Sequence, residues 1–218
     1  GICRYPTDDV GIRSHLIFTP MLAHPTAMMR REVLQRMGSG YDPSLRVAHD
    51  FDLYVRLAQV TEFANIPEVL VRYRRHPGQL TDHERAGLVG SEVRRIWASQ
   101  LQRLGIVATP EELGLHHRVS YWGVHFAEDE VVKISEWLMR LIRANAAVGV
   151  YPETAFTQVL AERWFWVCAQ AAHHGLWTWR KYWFCPLAER SPLGRVRKVK
   201  FLLKCMKPHR RGGGLPQT

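Results

Sequence analysis

With 218 residues and 46% apolar side chains, the chain is long enough for one large or two small cores and too apolar to be disordered. Its formal charge of +10 sits at one end: residues 190–218 hold nine basic and no acidic side chains, against 21 basic and 20 acidic in 1–189. That distribution argues against a nucleic-acid-binding face over the whole domain, and no apolar run reaches the length needed to span a bilayer.

The chain opens on Gly1 and is in patterned sequence within a few residues, which reads as a start in the middle of a domain. Arg4 to Asp9 predicts a turn into a helix capped by Thr7 or Asp8, with Ile12, Leu16 and Ile17 inside and Phe18-Thr19-Pro20 at its end. Residues 24–30 predict a short buried strand, 31–37 a brief helix with Val33, Leu34 and Met37 inside, and 38–43 a turn. A short helix then starts at Asp50, whose carboxylate is held ionised by the helix dipole and free N–H groups. Asp50 shares a face with Leu53, Tyr54 and Leu57, while Asp52, Arg56 and Gln59 lie opposite, with Asp52 and Arg56 paired four residues apart. Segments 62–65 and 69–74 predict two strands separated by Ile66-Pro67-Glu68.

From about residue 83 the pattern turns helical. Helices are predicted over 84–104, stopped by Gly105, from the Thr109-Pro110-Glu111-Glu112 start, over 128–145 and over 152–174. An aromatic-rich stretch at 176–183 is broken from the tail by Pro186 and Pro192. The fold class read from this pattern is α/β, a short mixed sheet with helices, followed by a mainly α-helical C-terminal region. Its boundaries are 1–83, 84–189 and a basic tail, 190–218.

Five motifs occur in order: Tyr5-Pro6-Thr7-Asp8-Asp9; His24-Pro25-Thr26-Ala27-Met28-Met29-Arg30-Arg31; Gly40-Tyr41-Asp42; Asp50-Phe51-Asp52-Leu53 with Arg56-Leu57-Ala58; and Asn65 to His76. On these residues Arg4–Gln79 resembles the acceptor-side half of family 2 glycosyltransferases with the GT-A fold. The resemblance implies an inverting transfer of a sugar from a nucleotide-sugar to a hydroxyl of a glycan or lipid-linked acceptor, in cell-envelope polysaccharide or glycan synthesis. It makes Asp50 the general base. The family's preceding glutamate is His49 here, which opens a secondary role for His49 as base. His76 matches a histidine that contacts metal or diphosphate, so a divalent cation, Mg or Mn, is expected in the complete enzyme. Arg72, Arg74 and Arg75 would supply charge near the leaving diphosphate, and His24 and Arg30 would line the same cleft. The family's nucleotide-binding half, with its Asp-x-Asp motif, is not matched; Asp50-Phe51-Asp52 has those letters but stands at the base motif. The chain is therefore expected to be the downstream part of a larger enzyme, inactive alone. The alternative is a catalytically inactive remnant that serves as a membrane-surface interaction module.

Plainer readings stand beside these. Asp50 can be a cap without chemistry, His76 a loop histidine, and any one of the three arginines a charge that blunts a sheet edge. His116-His117 and His173-His174 diverge by roughly 100° on a helix, which disfavours a shared metal ion. Trp164, Trp166, Trp177, Trp179 and Trp183 read as core between helices before they read as an acceptor or membrane cluster. In the tail Leu193, Val196, Val199, Leu202, Leu203 and Met206 fall mostly on one side, opposite Arg197, Lys198, Lys200, Lys204 and Lys207, with Arg195 intruding. Residues 190–211 thus predict either a helix on an anionic membrane surface or a solvated end helix packed on its own protein. Four cysteines without CxxC spacing and no signal peptide predict free thiols in the cytoplasm, with the tail at the inner face of the plasma membrane.

Overall fold

The computed structural model describes residues 2–38, 40–74, 91–121 and 123–207. Its helices are α1 (Asp9–Leu16), α2 (Arg31–Arg36), α3 (His49–Leu57), α4 (Ser91–Arg103), α5 (Pro110–Ser120), α6 (Glu128–Val148), α7 (Glu153–Gln170), α8 (Leu176–Phe184) and α9 (Arg195–Met206). Short 3-10 turns lie at His24–Thr26, Ala172–His174 and Pro186–Ala188. No strand occurs among the described residues, so the expected α/β class with a short mixed sheet is corrected to an all-helical one.

The correction has a local cause in each segment. At 24–30, Pro25 removes a backbone donor and opens the 3-10 turn, and the chain runs irregularly from there into α2. A ladder needs backbone partners at successive positions; here the N–H groups of 58–61 turn back onto α3, Asn65 N–H reaches only Thr7 O, and the groups between meet side chains. Asp9 Oδ1 accepts the N–H of Phe63 at 2.8 Å, while Asp9 Oδ2 accepts from Arg13 Nε at 2.5 Å. Arg13 also donates to the carbonyls of Ala58 and Thr61. The Asn65 amide donates to Pro6 O at 2.7 Å and Met21 O at 2.8 Å. Beyond it Val69, Leu70, Val71 and Tyr73 are all exposed, so neither face of the expected strand is covered. Strand propensity without a neighbouring surface to pack on does not make a strand.

The contacts divide the chain into two compact units. The first is Gly1–Ser120 with Leu141–Phe156. Here α1 starts at Asp8, whose carboxylate accepts the N–H of Gly11 at 2.7 Å, and buries Ile12 and Leu16. A side chain at position 11 would bring a Cβ to 2.9 Å from Pro6 Cβ, so glycine lets the Pro6 turn close on the helix. Trp97 of α4 is fully buried and donates its indole N–H to Phe18 O at 3.0 Å. α5 opens with a capping box in which Thr109 and Glu112 satisfy each other's backbone N–H. α6 ends at Gly149, in the left-handed region at φ 73°, where it donates to Asn145 O.

The second unit is Tyr121–Arg140 with Thr157–Thr218. Its core gathers Trp164, Phe165, Tyr182 and Phe201, with ring centroids of Phe165, Tyr182 and Phe201 5.6–5.7 Å apart. Trp164 donates to Tyr182 O at 3.2 Å, as the core reading of that tryptophan expects, whereas Trp183 is exposed. No helix among the described residues is long and apolar enough to cross a membrane.

Candidate functional site

Helix α3 carries the site. It starts one residue before Asp50, so Ala48 stands at the cap and offers no side-chain acceptor. The approach to the cap is held from elsewhere: Glu92, in the first turn of α4, accepts from the backbone of Arg46, Val47 and Ala48 at 3.0, 3.0 and 3.3 Å. Those three N–H groups hold the Glu92 carboxyl below its usual range. Asp50 is then left as the second helical residue, half-buried, with Oδ1 accepting the N–H of Phe51 at 2.8 Å. Its carboxylate lies at the positive end of the helix dipole.

Three rings gather beside it. His24, Tyr41 and His49 meet edge to face in a triangle, with centroids 5.3 Å apart for the two histidines, 5.5 Å for Tyr41 and His49, and 5.7 Å for His24 and Tyr41. Tyr54, one turn beyond Asp50 and 1% exposed, places its hydroxyl 3.4 Å from His24 Nδ1. Burial first, then the Asp50 carboxylate and Tyr41, push that hydroxyl far above the ordinary phenol range. Tyr54 therefore keeps its proton and can donate to His24 when Nδ1 is bare.

The opposite face of α3 holds the rings in place. Arg56 Nε donates to Asp52 Oδ2 at 2.8 Å, the pair expected from their spacing, and Arg56 Nη2 donates to Gly40 O at 2.7 Å. The Gly40-Tyr41 turn is thereby tied to the helix that presents Asp50 and His49. Asp42 closes the turn by accepting the N–H of Ser44 at 2.8 Å. The arrangement offers a proton acceptor, two imidazoles, two phenols and an aromatic edge within one patch. Those groups suit a polyhydroxylated ligand, which needs hydrogen-bond partners around its rim and a ring face for its C–H bonds.

Of the site residues expected from the sequence, His24, His49 and Asp50 come together. Arg30 stands exposed before α2, and Arg72 and Arg74 are exposed beyond Val69; no hydrogen bond or ion pair joins them to the cluster among the described residues. His76 and Arg75 lie outside the described residues. No group of three or more His, Cys, Asp or Glu side chains able to hold a metal occurs among the described residues. The sequence gives no role to Tyr41, Tyr54 or Glu92. Glycine before Tyr41 and the inward register of Tyr54 are signals for the first two; Glu92 acts across 44 residues or more and leaves no local mark.

Of the paired histidines, His116 and His174 are held by the fold; the rings of His173 and His174 lie 4.0 Å apart in a 3-10 turn and do not diverge as expected of a helix. His116 is fully buried, stacks on Phe18 at 4.9 Å and hydrogen-bonds Ile17 O through Nε2 at 2.8 Å. His174 bonds Phe126 O at 2.8 Å and lies 3.6 Å from Glu128. No protein-family model, curated relative or solved structure matches the chain.

Proposed function

We propose that the chain is the acceptor-side portion of an inverting nucleotide-sugar glycosyltransferase, with Asp50 as the general base. In the step, the acceptor hydroxyl oxygen forms a bond to the anomeric carbon as the Asp50 carboxylate takes its proton. The nucleotide diphosphate leaves from the opposite face with the bonding electron pair. The observation that carries this reading is the convergence of His24, Tyr41 and His49 beside a half-buried Asp50 at the start of α3. Residues from three separate motifs of the resemblance thus share one patch. A sugar hydroxyl reaching Asp50 would lie against that ring triangle, and Tyr54, protonated, would fix the orientation of His24.

The test is Asp50→Asn in the longest natural form of the polypeptide. Sugar transfer from a panel of nucleotide-sugars should fall by about 10²–10⁴-fold, as loss of a positioned base does, with the melting temperature unchanged. Retained turnover removes Asp50 from the reaction.

A further inference from the structure

From the orientation of α9 we infer that this helix lies on an anionic lipid surface, a property of the second unit that does not depend on the transfer chemistry. α9 docks on its own protein through Phe201 and Cys205, each 3% exposed. Phe201 packs against Trp179 at 5.4 Å, Phe165 and Tyr182, and Lys204 Nζ donates to Ala169 O at 2.6 Å. The packing face is therefore not the apolar stripe read from the sequence. Of that stripe, Val196, Val199, Leu203 and Met206 face outward and are 67, 54, 54 and 61% exposed, while Leu193 and Leu202 are half-buried.

At 100° per residue these four side chains span one side of the helix. Lys200 and Lys207 adjoin it along one edge and Arg195 along the other, all exposed. No acidic residue occurs anywhere in 190–218. A second copy of the chain would set like-charged rims against each other, and a nucleic acid has no use for the apolar stripe. An anionic bilayer surface meets both features, with acyl chains under the valines and leucine and phosphate groups beside the lysines.

Co-sedimentation of the 218-residue chain with vesicles tests this. Vesicles of phosphatidylcholine with about 40% phosphatidylglycerol should bind it at least about 10-fold more tightly than phosphatidylcholine alone, the preference shrinking as salt is raised. Val199→Asp with Leu203→Asp should cut that binding about 10-fold or more, with helicity and melting temperature unchanged, because both positions are solvent-facing. Lys200→Gln with Lys207→Gln should cut it by a similar factor, since each lysine contributes roughly 5-fold. Equal binding to neutral vesicles, full binding by the Val199/Leu203 variant, or capture by a DNA duplex in preference to anionic vesicles would each overturn the inference.

Discussion

Glu92 and Asp50 both face the start of α3, and their tasks differ because their partners differ. Glu92 takes the N–H groups of Arg46, Val47 and Ala48, while Asp50 Oδ1 takes that of Phe51 and its Oδ2 carries no hydrogen bond among the described residues. Glu92→Gln should destabilise the protein by roughly 1 kcal/mol near neutral pH, the usual worth of a helix cap. The sign follows from the lowered carboxyl: its contribution is full above the ordinary glutamate range and fades as pH falls through the folded value. Melting curves of the two proteins should therefore differ at about pH 7 and converge only once the pH has fallen below the lowered folded value of Glu92. Residue-scale legibility tracks sequence distance. The Asp52–Arg56 pair was readable because both partners sit on one helix. The Asp50 environment was half readable: Tyr54 shares its face, but His24 and Tyr41 arrive from other segments.

Among the elements, the connection from α6 to α7 shows how the helical stretch is punctuated. Gly149 ends α6 in the left-handed region, and buried Asn145 then does the work of a short strand. Its Nδ2 donates to Tyr151 O at 3.0 Å, and its Oδ1 accepts the Tyr151 N–H at 2.8 Å. Tyr151 is itself stacked on Phe156 at 4.7 Å and bonded to Gln100 at 3.2 Å. Asn145→Ala would leave a buried donor and a buried acceptor without partners, so urea unfolding should show a loss of about 2–4 kcal/mol. A loss below about 0.5 kcal/mol would mean that water replaces both bonds. The clearest helix ends were legible where period and end signals agree, as at the Thr109–Glu112 start and the Gly105 stop. The strands were not. Apolar alternation at 69–74 specifies a strand only where another surface covers one face, and Asp9 and Arg13 claim backbone groups of the preceding segment.

For the molecule as a whole, the same limit sets how the tail and the second core are arranged. Helical spacing grouped Val196, Val199, Leu203 and Met206 with Leu193 and Leu202, which are half-buried, and could not say that Phe201 and Cys205 would take the inward side. That choice is made by the aromatic partners Phe165, Trp179 and Tyr182, supplied by other helices. The second unit also holds three of the four thiols. Cys168, Cys185 and Cys205 are buried, and burial pushes each thiol above its ordinary range, whereas Cys3 is exposed. Alkylation requires a thiolate that the reagent can reach, so both conditions fail for the buried three. In native buffer iodoacetamide should add one group, at Cys3, with the other three reacting at least about 100-fold more slowly, through opening of the core. In denaturant all four should react together. Because the three buried thiols belong to one compact unit, their labelling against urea concentration should follow a single transition that reports the stability of that unit alone. Native labelling of Cys205 ahead of Cys168 and Cys185 would show instead that α9 lifts from Phe165 and Tyr182 as a separate step.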